Sequence, residues 1–124
     1  MPKWILIVDD SPLIRKTLRE TLERHEGWQV CGQAANGREG IERAQQLKPD
    51  LVVLDLSMPV MNGVEAAREL KRLLPSAPLL MFTNFETARL KTEALSAGVS
   101  AIVSKLESVQ ALVSGIQALL EPVS

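Results

Sequence analysis

The sequence predicts an α/β domain, a doubly wound five-stranded parallel sheet held between two layers of helices (α/β/α). Two observations lead there. Leu51-Val52-Val53-Leu54 places four large aliphatics in succession. A half-exposed strand must alternate apolar and polar residues, so this run reads as a strand buried on both faces, as in parallel sheets covered by helices. Strand-like and helix-like segments then alternate five times with short connections. Right-handed crossovers between parallel strands turn that alternation into helices on both faces.

Each element has its own signals. Residues 4–8, Trp-Ile-Leu-Ile-Val, form the first strand. Ser11 is an N-cap with Pro12 at the first helical position, and Ile14, Leu18 and Leu22 follow at helical spacing. That helix extends to about His25, where the cation suits a helix C-terminus, and Gly27 ends it. Trp28 to Cys31 is a short strand, with Cys31 a small buried residue. Asn36-Gly37 opens the second helix, with Gly40, Ile41, Ala44 and Leu47 inward and Pro49-Asp50 closing it. The third strand is 51–55, and Pro59 and Gly63 bracket the next loop. Val64, Ala67, Leu70 and Leu74 line the inner face of the third helix, before Pro75 and Pro78. Leu79 to Phe82 is the fourth strand, ending at Thr83. The fourth helix covers about 86–97 and stops at Gly98. Ala101 to Ser104 is the fifth strand, ending at Lys105. Val109, Leu112, Val113, Ile116, Leu119 and Leu120 give the last helix its apolar stripe. Trp4 and Trp28 are packing and edge-cover residues.

Composition narrows the function classes. The chain has 124 residues, enough for one domain with a proper core and too few for two, so 1–124 reads as a single domain. A net charge of -1 gives no argument for nucleic acid or an anionic membrane. One cysteine excludes a disulfide framework within the monomer. There is no basic segment followed by an apolar leader, and no apolar run of about eighteen residues. A cytoplasmic location is the expectation.

The strand ends carry the chemistry. Asp9 and Asp10, Asp55, Thr83 and Lys105 each end a predicted strand. Parallel strands bring such residues to one rim, where open α/β sheets place their sites. Carboxylates held close repel each other, and a hard cation relieves that. All-oxygen ligands with room for water suit Mg²⁺. Lys105 offers a point charge for an anion and Thr83 a hydroxyl donor. Together these groups suit a phosphoryl group, and a carboxylate can itself become an aspartyl phosphate.

These motifs resemble a response-regulator receiver domain of the CheY-like, flavodoxin-like (βα)5 kind. They are Asp9-Asp10, Leu54-Asp55-Leu56-Ser57-Met58-Pro59 with Asn62-Gly63, Thr83 and Lys105. The likeness covers essentially the whole chain. The stretch from Gly32 to Lys71 is most similar to NarL/FixJ-type receivers. These usually carry a helix-turn-helix domain after the receiver, whereas this sequence ends at Ser124, with no output domain in it. The resemblance implies that Asp55 accepts a phosphoryl group from a sensor histidine kinase in a two-component system. It implies Asp10 as a direct Mg²⁺ ligand, Asp9 as a ligand mostly through water, and Asp55 and the Ser57 backbone carbonyl as further ligands. Thr83 and Lys105 would bind phosphoryl oxygens. Partner binding or dimerisation would use the face of the fourth helix, fifth strand and fifth helix. Such a domain is a signalling module rather than an enzyme, and it contacts neither nucleic acid nor membrane directly.

Three departures from the family pattern stand out. Ile102 stands where an aromatic switch ring is usual. Leu106 follows Lys105 where many receivers have proline, so the Lys105–Leu106 peptide is expected to be trans, since cis costs about 2.5–4 kcal/mol before a non-proline residue. Asn84 and Phe85 follow Thr83 where a small residue is usual. The alternative is therefore a phosphorylation-independent interaction module. A small hydrolase is disfavoured, because Asp9-Asp10-Ser11 lacks the phosphatase spacing of two aspartates around one residue.

Overall fold

The computed structural model describes residues 2–84 and 87–121. Its elements run β1 (Lys3–Val8), α1 (Pro12–Glu23), β2 (Trp28–Ala34), α2 (Gly37–Leu47), β3 (Leu51–Leu54), α3 (Gly63–Leu73), β4 (Leu79–Thr83), α4 (Ala88–Ser96), β5 (Ala101–Ser104) and α5 (Val109–Leu120). All strand pairs are parallel, in the order β2-β1-β3-β4-β5. This is the doubly wound (βα)5 sheet expected from the apolar runs.

The pleat explains those runs. Leu6, Val8, Val52, Leu54, Leu79 and Met81 face one apolar cluster with Ala44, Val64, Leu70 and Ala94 from α2, α3 and α4. Their neighbours Ile5, Ile7, Leu51, Val53, Leu80 and Phe82 face the other, with Leu18, Leu22, Leu112 and Ile116 from α1 and α5. Successive residues alternate sides, both sides are dry, and so the alternation is invisible in hydropathy.

Several boundaries and faces differ from expectation. β2 continues to Ala34. The β1–β2 register slips between Ile5 and Leu6, leaving Cys31 as the extra residue of a bulge. The strand thus runs through Gly32 instead of ending at Cys31, and Cys31 is only half-buried. Leu47 leans its Cδ1 on β2 at Gly32 but stays 40% exposed at the end of α2, where Lys48 turns left-handed at φ 48°. On α3 and α5, Leu74, Val109, Val113, Leu119 and Leu120 are half-buried rather than buried. α1 ends at Glu23 with Arg24 as its C-cap, and His25 follows, its amide donating to Leu22 O at 3.1 Å. Its ring stacks on Trp28 at 3.8 Å between centroids and meets Gln117 at 3.0 Å. Trp28 is buried as expected, while Trp4 is exposed. The proposed start of the fourth helix at 86, and Phe85, lie outside the described residues.

Candidate functional site

The site forms where β1, β3, β4 and β5 end. Adjacent strand order alone brings Asp55, at the end of β3, beside Asp9-Asp10 of β1 on one flank and Thr83-Asn84 of β4 on the other. The Asp55 amide donates to Val8 O at 2.9 Å, fixing the two strand ends together.

The loop after Asp55 is held by backbone geometry. Gly63 N donates to Leu56 O at 2.8 Å, and a Cβ at Gly63 would stand 2.3 Å from Asp55 O. Only glycine permits that approach. Asn62 and Glu65 form a capping box at the start of α3. Just before it, Met61 N donates to Pro59 O at 2.7 Å with Val60 at φ 70°, a γ-turn in the strained, left-handed sense. A branched side chain at positive φ costs about 1–3 kcal/mol and persists only where the surroundings enforce it.

Carboxylate oxygens of Asp9, Asp10 and Asp55 lie within 4.8 Å of one another. Asp9 and Asp55 are buried and Asp10 is exposed. The Lys105 ammonium bridges the buried pair, 2.8 Å from Asp9 Oδ2 and 3.4 Å from Asp55 Oδ1. Its backbone amide donates to Thr83 O at 2.8 Å, which ties β5 to β4 at the rim. Asp9 Oδ1 accepts from the Ser11 amide at 2.9 Å, so both Asp9 oxygens are engaged. Asp55 Oδ1 accepts from the Leu56 amide at 2.9 Å. Burial pushes the Asp55 carboxyl up to about 6, with the Asp9 charge adding to the rise; Lys105 and the Leu56 amide oppose it without prevailing.

A cleft of about 360 Å³ opens above these groups. Asp10, Ser11 and Ile14 line one wall, Asp55 and Ser57 the floor, and Asn84 and Lys105 the other wall. The sequence therefore named Asp9, Asp10, Asp55, Ser57 and Lys105, and they meet here. Thr83 is fully buried at the end of β4, beneath the cleft. Ile102 packs, half-buried, against the α2–α3–α4 side of the core. No cis peptide bond occurs among the described residues, so Lys105–Leu106 is trans. Sequence reasoning missed Arg15, whose Nη1 donates to Asp9 O at 2.6 Å. Its signal was only a cation one helical turn past the acid pair.

The family profile of the response regulator receiver domain matches residues 5–117. The chain belongs to that family. The receiver is 36% identical over 105 residues to the chemotaxis protein CheY of Thermotoga maritima, covering 85% of this chain and 87% of the relative. It is 44% identical over 102 residues to a protein-glutamate methylesterase/protein-glutamine glutaminase of Alkalilimnicola ehrlichii, covering 81% of this chain but only 26% of that protein. The crystal structure of a LuxR-family two-component response regulator from Aurantimonas superposes with a TM-score of 0.92 at 33% identity, over 97% of this chain and 86% of that one. Receivers are signalling modules of two-component systems, and the esterase activity named for one relative belongs to a protein of which this chain spans about a quarter. No helix among the described residues is long and apolar enough to cross a membrane.

Proposed function

We propose that this receiver takes a phosphoryl group onto Asp55 from a phosphohistidine of a sensor kinase and switches a protein contact in response. The observation that carries the reading is the Asp9–Asp10–Asp55 cluster bridged by Lys105 at the foot of an open cleft.

An all-oxygen donor set beside an open cleft fits a hard dication. Asp10, exposed to the cleft, and Asp55 would hold Mg²⁺ directly. Asp9, with both oxygens engaged, would act through water, and the Ser57 backbone carbonyl would complete the protein's share. When bound, the ion supplies positive charge to the oxygens of a transferring phosphoryl group.

The rest is work for the chain's own groups. An ionised Asp55 oxygen attacks phosphorus, a P–O bond forms, the P–N bond breaks, and the imidazole nitrogen keeps the bonding pair. Lys105 would leave the carboxylates for a phosphoryl oxygen, and Thr83 would offer its hydroxyl. An aliphatic at 102 has no hydroxyl to exchange partners. Coupling to the α4–β5–α5 face would therefore run through Thr83 and the segment that follows it. An apolar groove of about 200 Å³ beside the cleft shares Ile14 and Lys105 with it. Leu13, an exposed side chain, lines this groove, a surface suited to the phosphodonor protein. The domain is read as 1–124, acting in the cytoplasm, with homodimerisation or a downstream protein as its output.

Acetyl phosphate with Mg²⁺ tests the reading. The intact protein should gain the mass of one phosphoryl group, the gain should vanish with chelator, and no gain in either condition would remove the phosphoacceptor assignment.

A further inference from the structure

Arg15 lies in the second turn of α1, a helix whose first turn is fixed by Pro12 and by the Ser11 hydroxyl accepting from Ile14 N at 3.2 Å. From there its guanidinium reaches back to the end of β1 and donates to the Asp9 carbonyl at 2.6 Å. A surface arginine has many acceptors to choose from, and this one ends on backbone.

The ladder explains why the carbonyl needs a donor. The Asp9 amide donates to Ala34 O at 3.0 Å, one rung past the strands themselves. In a parallel pair the carbonyl of the same residue points toward the same neighbour and requires an amide farther along it. The β1–β2 register ends at Val8 and Ala34, and Asn36 already caps α2. Arg15 supplies the donor where the ladder stops.

That carbonyl belongs to the Asp9–Asp10 peptide plane, so holding it sets the direction in which Asp10 leaves the strand. Asp9 is held by its own side chain through Ser11 N and Lys105. Asp10 is the exposed acid of the three, and its aim depends on the backbone before it.

We propose that Arg15 is a positioning residue that presents Asp10 to the cation, and so sets the Mg²⁺ affinity of the site. The proposal rests on the reading that Asp10 holds Mg²⁺. Two effects compete: the bond to Asp9 O favours the ligand geometry, while the guanidinium charge opposes a dication. The direct bond at 2.6 Å is to a neutral carbonyl on the strand side, and geometry prevails.

The test is a Mg²⁺ titration of the whole chain, followed by the amide shifts of Asp10 and Ser11. Arg15→Ala should weaken binding roughly tenfold, the low end of what supporting residues contribute to metal sites. Arg15→Lys, which keeps the charge but only a point donor, should lie between parent and alanine. Labelling by acetyl phosphate should return to the parent rate when Mg²⁺ is saturating. If the alanine chain does not fold, Arg15→Gln carries the test, again with weaker binding expected. Unchanged affinity overturns the proposal. Tighter binding overturns it too, by showing that charge dominates, as does a labelling defect that saturating Mg²⁺ leaves in place. A parent chain whose shifts ignore Mg²⁺ would instead overturn the metal reading, and this proposal with it.

Discussion

Replacing Asp55 with asparagine should stabilise the metal-free protein, and by an amount that depends on pH. The folded chain holds the Asp55 carboxyl up to about 6 against an ordinary 3.8, because it is buried and faces Asp9. The unfolded chain ionises near the ordinary value. Below about pH 4 both states are protonated, and asparagine, a neutral isostere, changes little. Between about 4 and 6 the folded state keeps a proton that the unfolded state has released, so parent stability falls as pH rises through that window. Above about 6 the whole penalty remains. The gap corresponds to about 3 kcal/mol at most, at 1.36 kcal/mol per pH unit. Solvent in the open cleft screens part of that ceiling, so for a chain of this size the rise in Tm is several degrees. Lys105 keeps Asp9 at 2.8 Å in the variant, so its charge is not stranded. Melting parent and Asp55→Asn in chelator from pH 4 to 8 reads the difference directly. A variant no more stable than parent at pH 7, or a gap that does not widen between pH 4 and 6, would refute the reasoning. Millimolar-scale Mg²⁺ should narrow the gap by stabilising the parent.

Three further perturbations test separate links. Gly63→Ala should cost about 3 kcal/mol or more and impair acetyl phosphate labelling, since its Cβ would stand 2.3 Å from Asp55 O; a parent-like urea midpoint would contradict the loop geometry. Leu13→Glu, on an exposed side chain, should slow transfer from a phosphorylated kinase at least tenfold while leaving acetyl phosphate labelling unchanged. An equal loss with both donors would place Leu13 in the chemistry instead of the docking surface. Thr83→Ala should weaken beryllofluoride binding without abolishing it, and at saturation should confine the resulting amide shifts to the site. Shifts that still reach α4 and β5 would show that coupling bypasses Thr83.

The fold was legible because a parallel sheet buried on both sides writes its strands as unbroken apolar runs, and Leu51–Leu54 is the plainest of them. The site was legible for a related reason: parallel strands end on one rim, so four strand-end residue sets could be read as neighbours before any geometry was known. What could not be read depended on register and reach. The bulge at Cys31 let β2 run past Gly32, and one extra residue leaves no mark in hydropathy. Leu47 sits on the apolar spacing of α2 and touches β2 at Gly32, yet at the last turn of the helix it remains 40% exposed. His25 is drawn to Trp28 and Gln117 by contacts that span up to 92 residues of sequence. Arg15 reaches a backbone carbonyl six residues before it, and nothing in a side chain's identity announces a backbone partner.

The account stands or falls on where a phosphoryl group lands. Treating the protein with acetyl phosphate and Mg²⁺, reducing with borohydride, and mapping the product by peptide mass spectrometry locates an acyl phosphate as an aspartate converted to homoserine. The account predicts homoserine at position 55 and at neither 9 nor 10, with none in Asp55→Asn. Conversion at Asp9 or Asp10, or undiminished conversion in Asp55→Asn, would contradict it.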